Sequence, residues 1–518
     1  MAVSSERIDE FLRRFKSADS ARASWKGLWQ ECLDYCKPRK AAMFTEGDDL
    51  VRGKDLYNGT AEDALDVYAA GCHAGVTPPS GQWFRLGLRD RELGRRHDVR
   101  KWLESVTDAM YGVISSSNFQ QEIHEAYVDN GVLGTSCLYM QEDYDEVVRF
   151  SCRPVSEYVI FEDARGRVNQ LIRRFRLTAS QAAQEFGDCA GRAVREALKD
   201  GKKHEDKFWF LHVVEPRPKR DYSKIDALNM PYASYYIEES QRELLSEGGY
   251  GEFPYAVMRV SRSANDVYGR SPAMKALGDI KIMQRSEETI LRAAEKATDA
   301  PVLVPNDGSI SPISGEAGKI MWYEPRHDGR GSGVEPFPAT GNPGIGMEFT
   351  QRKEQAVRSA FLYDVFITIE SLTPNVTAQA VMEAKRDRLL ILGPTLGRMQ
   401  SELLKPIVER VFGIMSRRGM LPKPPADLAD TPLDPIYVSP LFLAQKLSLE
   451  VDALTQNVAF AGQVSGAYPE IWDNLNLDEA LRVRDERYGG PASVLRSPRE
   501  VEKLRAQRLQ NMGGENAS

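Results

Sequence analysis

The feature that most constrains the fold is LLILGPTLGRMQSELLKPIVERVF, residues 389–412, which has the apolar spacing of an amphipathic helix but contains two prolines. A proline inside a helix removes a backbone hydrogen bond, clashes with the preceding turn and costs about 3 kcal/mol. Pro394 and Pro406 together would consume much of the roughly 5–15 kcal/mol that stabilises an ordinary domain. The stretch is therefore either several short helices or one bent helix stabilised within something larger.

Two further helical stretches flank a segment of different character. Residues 271–301 begin with Ser-Pro and end at Pro301, which predicts a helix of about 28 residues. Residues 301–346 are rich in Pro and Gly and contain the short strand patterns PVLVP and GKIMWYEP, and another helix is predicted over 347–367. If the two helices are antiparallel, the inserted module lies at the far end of a stalk. A helix running unbroken over 377–418, to the stop signal Arg-Arg-Gly, would be about 60 Å long, which favours a radial spoke in a ring.

The first half of the chain predicts an α/β domain. Helical periodicity occurs before Pro38, around 61–74 and over 99–116, and TPPSGQWFRL at 77–86 predicts a turn anchored in the core by Trp83 and Phe84. Four β-rich runs over 134–177 predict an antiparallel sheet. After a helix near 179–199, the strand patterns KFWFLHVVEP, YASYYIEES and PYAVMRVS continue to residue 261.

Composition narrows the class of protein. The 518 residues are 42% hydrophobic and 28% charged, as in folded soluble proteins, and 68 basic against 75 acidic residues give a net charge of −7. That balance does not indicate a tight DNA or membrane binder. The N-terminus has no signal-peptide pattern, and no uncharged apolar run approaches the roughly 20 residues of a membrane span, so assembly in a cytoplasm is expected. All six cysteines precede residue 190 without a CxxC pair, which predicts buried thiols rather than a metal site.

Motifs for catalysis are incomplete. GEAGK at 315–319 resembles the end of a phosphate-binding loop, but Ile313 stands where the loop needs glycine and Ile320 where it needs Ser or Thr. GRGSGVEP at 329–336 lacks a strand-to-helix context and predicts a loop. The six histidines are scattered, and there is neither a nucleophile elbow nor an HExxH motif. The sequence therefore favours structure and binding over catalysis, and no cofactor is expected.

Five stretches carry a resemblance to a known family: LYNGTAEDA (56–64), TPPSGQWFRL (77–86), YGRSPAMKALGDIK (268–281), AAEKATDAPVLVP (293–305) and the whole of 376–425. Together they resemble the portal, or head-to-tail connector, proteins of short-tailed double-stranded DNA bacteriophages. The resemblance implies an α+β, predominantly helical portal fold with wing, two-helix stem, clip and helical crown, assembled as a ring. It assigns 1–270 to the wing, 271–300 and 347–369 to the stem, 301–346 to the clip, 370–377 to a tunnel loop, 378–425 to a long bent wing helix and 426–518 to crown and tail.

Four groups of residues become functional candidates under this resemblance. The loop facing the DNA channel would be Ser371, Leu372, Thr373, Pro374, Asn375, Val376 and Thr377, with an ordinary turn between helices on the outside as the alternative. The stem residues Lys281, Arg285, Arg292 and Lys296 could contact phosphates, or could instead be solvated or paired between subunits. The clip would dock partners through Asp328, Gly329, Arg330, Gly331, Ser332 and Gly333. The helix bend would lie at Gly393, Pro394 and Gly397.

The expected partners follow from the same resemblance. They are further copies of the chain in a ring, expected to be a dodecamer, double-stranded DNA bound without sequence specificity, the terminase large subunit, a tail adaptor, the major capsid protein and a scaffolding protein. The expected location is the portal vertex of the virion, after assembly in the host bacterial cytoplasm. Another virion structural protein, such as a tail adaptor, and a terminase-like motor enzyme are the alternatives.

Overall fold

The computed structural model describes residues 5–43, 56–200, 203–224, 226–298, 302–305, 320–323, 335–336, 343–367, 392–425, 428, 433–442, 450–466, 468–488, 494–496 and 498–515. Helices account for more of these residues than strands do, and both occur along most of the chain. The protein is therefore of mixed α+β class with a predominance of helix.

Six helices precede residue 135, and four of them lie in the three stretches whose periodicity predicts helix. They are α1 (Ser5–Ala21), α2 (Ala23–Cys36), α3 (Thr60–Val76), α4 (Arg91–Arg95), α5 (His97–Ser116) and α6 (Phe119–Leu133), with a 3₁₀ turn over Pro38–Met43. The last of them was not predicted, because most of its second half is buried on all sides and shows no amphipathic period. It ends where Gly134 takes a left-handed conformation at φ 73°, with its amide donating to the Asp129 carbonyl oxygen.

Two antiparallel sheets follow, where the sequence predicted one sheet over 134–177. The strands are β1 (Phe84–Leu88), β2 (Thr135–Asp143), β3 (Val147–Cys152), β4 (Tyr158–Glu162), β5 (Val168–Thr178), β6 (Lys207–Pro216), β7 (Tyr232–Glu238), β8 (Glu243–Tyr250) and β9 (Tyr255–Arg259). One sheet has the order β3-β2-β9 and the other β4-β5-β6-β7-β8. The single-sheet prediction is wrong because β2 pairs with β9, whose residues Tyr255 to Arg259 are distant in sequence.

The five-stranded sheet is covered on both faces. Ile8, Phe11 and Phe15 of α1 pack in one cluster with Ile172 and Leu211 of the sheet. The other face packs against α7 (Ala179–Phe186) and α8 (Arg192–Lys199). The single helix predicted over 179–199 is wrong, since a 3₁₀ turn over Gly187–Cys189 separates the two helices and both Gly187 and Gly191 have positive φ.

The largest core surrounds α3, α5, α6 and the three-stranded sheet. Trp83 and Phe84 are 1% and 0% exposed within it, which confirms their predicted anchoring role. The strand β13 (Leu433–Tyr437) pairs with β1, so this core also includes residues from beyond 430.

A pair of helices with a small sheet between them in sequence follows β9. The elements are α9 (Pro272–Thr298), β10 (Val302–Pro305), β11 (Ile320–Tyr323), β12 (Glu335–Pro336), α10 (Pro343–Ala360) and α11 (Tyr363–Ile367). The three strands form a sheet of order β11-β10-β12. The second helix starts four residues before its predicted start and is interrupted at Leu362, which has φ 59°.

The proline-containing stretch is helical over all its described residues, but not uniformly α-helical. It consists of α12 (Gly393–Arg398), a π-helical turn (Met399–Leu404) and α13 (Lys405–Arg417). The predicted stop is confirmed: Gly419 has φ 67°, and the Met420 amide donates to the Met415 carbonyl oxygen at 3.0 Å. The C-terminal region contains α14 (Glu450–Val464), α15 (Leu477–Tyr488) and α16 (Pro498–Glu515).

Candidate functional site

The helices α9 and α10 form an antiparallel pair. In the first half of α9, the Asp279 carboxylate pairs with the Lys353 ammonium of α10 at 2.7 Å. Eleven residues later in α9, the Ile290 side chain lies against Gly346, which precedes Lys353 in α10. The side chain of Asn58 lies between the two helices, donating to Glu287 at 3.5 Å and to Glu354 at 2.9 Å. Residues later in α9 therefore contact residues earlier in α10. The C-terminal end of α9 and the N-terminal end of α10, which adjoin β10–β12 in sequence, lie side by side.

All four predicted stem cations are exposed and lie on one side of α9. At about 100° per residue, Lys281, Arg285, Arg292 and Lys296 fall within about 60° of one another, on the side opposite to α10. The Lys281 ammonium donates to Glu31 of α2 at 2.7 Å, and this hydrogen bond raises the pKa of the lysine. Arg292 pairs with Glu288 at 2.6 Å.

This arrangement limits the electrostatic effect of the four cations. Exposed Lys and Arg can make sequence-independent, salt-sensitive contacts with phosphates. Lys281 and Arg292 already have carboxylate partners within the protomer, whereas Arg285 and Lys296 have no acidic partner within 4.0 Å among the described residues. The row is therefore a weakly basic surface rather than a strong phosphate clamp.

Residues 371–377 and the group 328–333 are outside the described residues, as is the GEAGK motif. The strands that flank the second group in sequence, β11 and β12, lie in the small sheet that follows α9 and precedes α10. The assignments of both loops therefore remain predictions.

The three predicted bend residues lie together at the start of the described helix. Leu392 is the N-terminal cap residue, and Gly393, Pro394 and Gly397 all belong to α12. Pro394 thus occupies the first turn of the described helix, where a missing amide leaves no hydrogen bond unmade. The bend itself remains a prediction, because 368–391 are not described.

A buried arginine is the main polar feature that sequence reasoning missed. Arg259, at the end of β9, is 1% exposed and contacts carboxylates of Glu402 in the π-helical turn and of Glu162 in β4. Its amide and its Nε both donate to Glu402, at 2.9 and 3.2 Å. The remaining donors reach the carbonyl oxygens of Val267 and Gly166. This cluster joins both sheets to the proline-containing helix.

A second buried arginine satisfies the carbonyl oxygens of the turn that leads into β4. Arg22, between α1 and α2, donates to the carbonyl oxygens of Val155, Ser156 and Tyr158 at 2.6–3.0 Å. Asp19 accepts from the same guanidinium. No pattern in the sequence indicated either arginine, because most of their partners, including all the strand and turn carbonyl oxygens that Arg22 contacts, are more than ninety residues away.

The described residues contain no cluster of three or more His, Cys, Asp or Glu side chains that could hold a metal ion. Four of the cysteines are buried and Cys152 is half-buried, but Cys189 is exposed, which corrects the expectation that all six are buried. Burial raises the pKa of Cys32 to about 12, so this thiol is unreactive. None of the described helices has both the length and the apolar character needed to cross a bilayer.

Comparison with known proteins identifies the family. The description "bacteriophage head to tail connecting protein" matches residues 9–495. The portal protein of Salmonella phage epsilon15 is 31% identical over 507 residues, covering 96% of this chain and 91% of the relative. The probable portal protein of Bordetella phage BPP-1 is 31% identical over 516 residues, covering 96% and 90%. The portal protein of Enterobacteria phage T3 is more distant, at 19% identity over 359 residues, covering 68% and 64%.

These matches cover both the α/β half of the chain and the helix pair with its inserted sheet. Head-to-tail connection is a structural role, and membership of such a family is consistent with the lack of a complete catalytic motif in the sequence. The chain therefore belongs to the bacteriophage head to tail connecting proteins, and its function is that of a phage portal.

Proposed function

We propose that the chain assembles into a closed homo-oligomeric ring, a dodecamer by its resemblance to portals, at one vertex of the capsid. Double-stranded DNA enters through the centre of this ring during packaging and leaves through it on ejection. The observation that carries the proposal is the antiparallel pair α9–α10, whose apolar side chains Ile282, Leu291, Met347 and Phe349 are 44–57% exposed in the single chain. Neighbouring copies can cover them, because head-to-tail contacts that close under rotation produce rings.

The charge of the chain supports passage of DNA rather than tight binding. A strongly basic channel would bind the duplex through many phosphate contacts and release it slowly. The net charge is −7, and two of the four stem cations are paired within the protomer. DNA that slides past such a surface is held without sequence specificity.

Ring formation is tested by imaging the purified protein by negative-stain electron microscopy and weighing it by mass photometry. We expect closed rings with a central hole and a mass that is a single multiple of 58.1 kDa. A population that is entirely monomeric at micromolar concentration, across low and high salt, would contradict the proposal.

We further propose that residues 328–333 dock the terminase large subunit during packaging and a tail adaptor afterwards. In sequence the segment lies between β11 and β12, in the module inserted between α9 and α10 and apart from the segments assigned to the wing. Shortening 328–334 should leave ring formation intact and reduce capture of either partner in a pull-down. Loss of rings with retained capture would assign the segment to assembly instead.

The outer surface of the wing is proposed to contact the major capsid protein and, during assembly, a scaffolding protein. These contacts place the ring at the portal vertex, and assembly takes place in the host bacterial cytoplasm. Immunogold labelling of purified particles should mark a single vertex. Labelling distributed over the whole shell would contradict this location.

A further inference from the structure

The two exposed sides of the α9–α10 pair differ in charge. At about 100° per residue, Ile282 of α9 and Phe349 of α10 project from one side of the plane through both helix axes, and Leu291 and Met347 project from the other side. We call these the first flank and the second flank. All four side chains are between 44% and 57% exposed, so each flank offers an apolar centre to solvent.

Basic residues accompany the first flank. Lys275, Arg285 and Lys296 of α9 project to this side and are exposed, and Lys353 of α10 lies beside Phe349, with its ammonium 5.7 Å from the ring centroid. The acidic residue on this side is Asp279, and it is already paired with Lys353 at 2.7 Å.

Acidic residues accompany the second flank. They are Glu287, Glu288 and Glu295 of α9 and Glu354 of α10. The basic residue of α10 on this side is Arg358, whose guanidinium lies 5.5 Å from the ring centroid of Tyr363. Lys281 and Arg292 project to the outward side of α9, between the flanks, and are paired with Glu31 at 2.7 Å and Glu288 at 2.6 Å. The two flanks thus carry opposite charge around similar apolar centres.

We infer that the first flank of one protomer packs against the second flank of the next, with a second copy of this chain as the occupant of each. This inference rests on the ring proposed above and identifies the surfaces that form it. The two flanks lie on opposite sides of one helix pair, which is the arrangement that a head-to-tail contact needs to propagate and close. A symmetric pairing of like flanks would instead oppose like charges.

The assignment gives Arg285 and Lys296 a role other than phosphate contact. Both side chains are long and project between the outward side of α9 and the first flank. In the described part of the chain, neither cation has an acidic partner within 4.0 Å. Glu288 and Glu295 lie at similar heights on the second flank, so that carboxylates of one protomer are within reach of these cations on the next.

Two complementary charge reversals test the inference. One variant carries Arg285→Glu with Lys296→Glu, so both its flanks are acidic; the other carries Glu288→Lys with Glu295→Lys, so both its flanks are basic. Alone, each should lose rings by about tenfold or more in mass photometry, because like charges then meet at every contact. Mixed in equal amounts, they should form rings in which the two alternate. A tag on one should then recover an equal amount of the other.

A second test uses the chain that carries all four reversals. Its first flank is acidic and its second flank is basic, so the two flanks remain complementary and rings should form again. The controls reverse exposed charges at the end of α8 and in the residues just after it, Lys199→Glu with Lys203→Glu and Glu196→Lys with Asp200→Lys, and should assemble as the wild type does. Circular dichroism checks that each variant is folded.

The outcomes separate this inference from the ring itself. Wild-type protein without rings overturns both. Wild-type rings together with normal rings from each single-flank variant overturn the flank assignment alone and return Arg285 and Lys296 to the role of DNA contacts. Loss of rings that neither mixing nor the four-fold reversal restores also overturns the assignment, because it shows that the charges do not pair across the contact.

Discussion

Arg259 shows how one side chain can connect elements that are distant in sequence. Its guanidinium is 1% exposed and joins β9 to Glu162 in β4 and Glu402 in the π-helical turn. Burial acts to lower the pKa of this arginine, but the hydrogen bonds and charges of Glu402 and Glu162 outweigh burial and raise it overall. The side chain therefore stays charged, and it is the most buried cation beside these two carboxylates, which also contact the more exposed Arg262 and Arg398.

Replacing Arg259 should destabilise the fold strongly. Arg259→Met removes the buried cation from two partly buried carboxylates and leaves Glu162 only Arg262 and Glu402 only the longer Arg398 contact at 3.4 Å, which costs about 3 kcal/mol. Arg262→Met is the matched control, since Arg262 also contacts Glu162, at 3.0 Å, but is more exposed and should cost about 1 kcal/mol or less. Urea unfolding followed by tryptophan fluorescence, with all proteins in one oligomeric state, measures the difference. Equal losses for both variants would contradict the central role of Arg259.

The role of a single residue could be predicted when it depends on the residue's own type and its sequence neighbours, and not when it depends on partners far away in sequence. Trp83 and Phe84 were correctly placed in the core, because bulky aromatic residues after a turn have few other favourable positions. Arg259 was not identified, because PYAVMRVS looks like any strand and the partners of the arginine are 97 and 143 residues away. A long-range ion pair leaves no local pattern in one sequence.

At the level of elements, the π-helical turn explains how the helix accepts its second proline. In a regular α-helix, the missing amide of Pro406 would leave the Glu402 carbonyl oxygen without its donor, and the ring would crowd that oxygen. Here the hydrogen-bonding pattern changes just before the proline, with the Lys405 amide donating five residues back to Gln400. Pro406 then falls in the first turn of α13.

This geometry predicts a small effect of removing the proline. Pro406→Ala should change the free energy of unfolding by about 1 kcal/mol or less, since little strain is present to relieve. Glu409→Pro, at an exposed position one turn later, is the comparison and should cost about 3 kcal/mol. Both are measured by urea unfolding followed by circular dichroism. A gain of about 3 kcal/mol from Pro406→Ala would mean instead that the proline strains the helix.

Elements with a clear period were predicted and those without one were missed. The helix over 272–298 and the strands β6, β7 and β9 agree with their patterns. The helix α6 was missed because Asp129, Asn130 and Gly131 are buried along with the apolar residues around them. The edge strand β8 was missed because its sequence, ELLSEGGY, combines charges with two glycines.

At the level of the whole molecule, function was more predictable than architecture. The resemblance carried by five stretches identified the portal family, and similarity over nearly the whole chain confirms it. The division of strands between two sheets could not be predicted, because pairing such as Thr135 with Arg259 depends on contacts between distant segments. Ring closure is a property of several chains, and for this chain it is proposed from the apolar side chains that α9 and α10 leave exposed.

The last prediction concerns the loop proposed to face DNA at the centre of the ring, residues 371–377. Its sequence, SLTPNVT, has no charged residue and contains the turn formers Pro374 and Asn375. An uncharged loop can touch a moving duplex without adding phosphate contacts that would slow it. Replacing 372–376 with a Gly-Ser linker should therefore permit ring assembly and incorporation into capsids, but shorten the packaged DNA or reduce its retention.

The length of DNA from purified particles measures the effect. The control places a linker of the same length in the exposed wing loop 218–222. Full-length, stably held DNA in the loop variant would place this segment away from the path of the DNA.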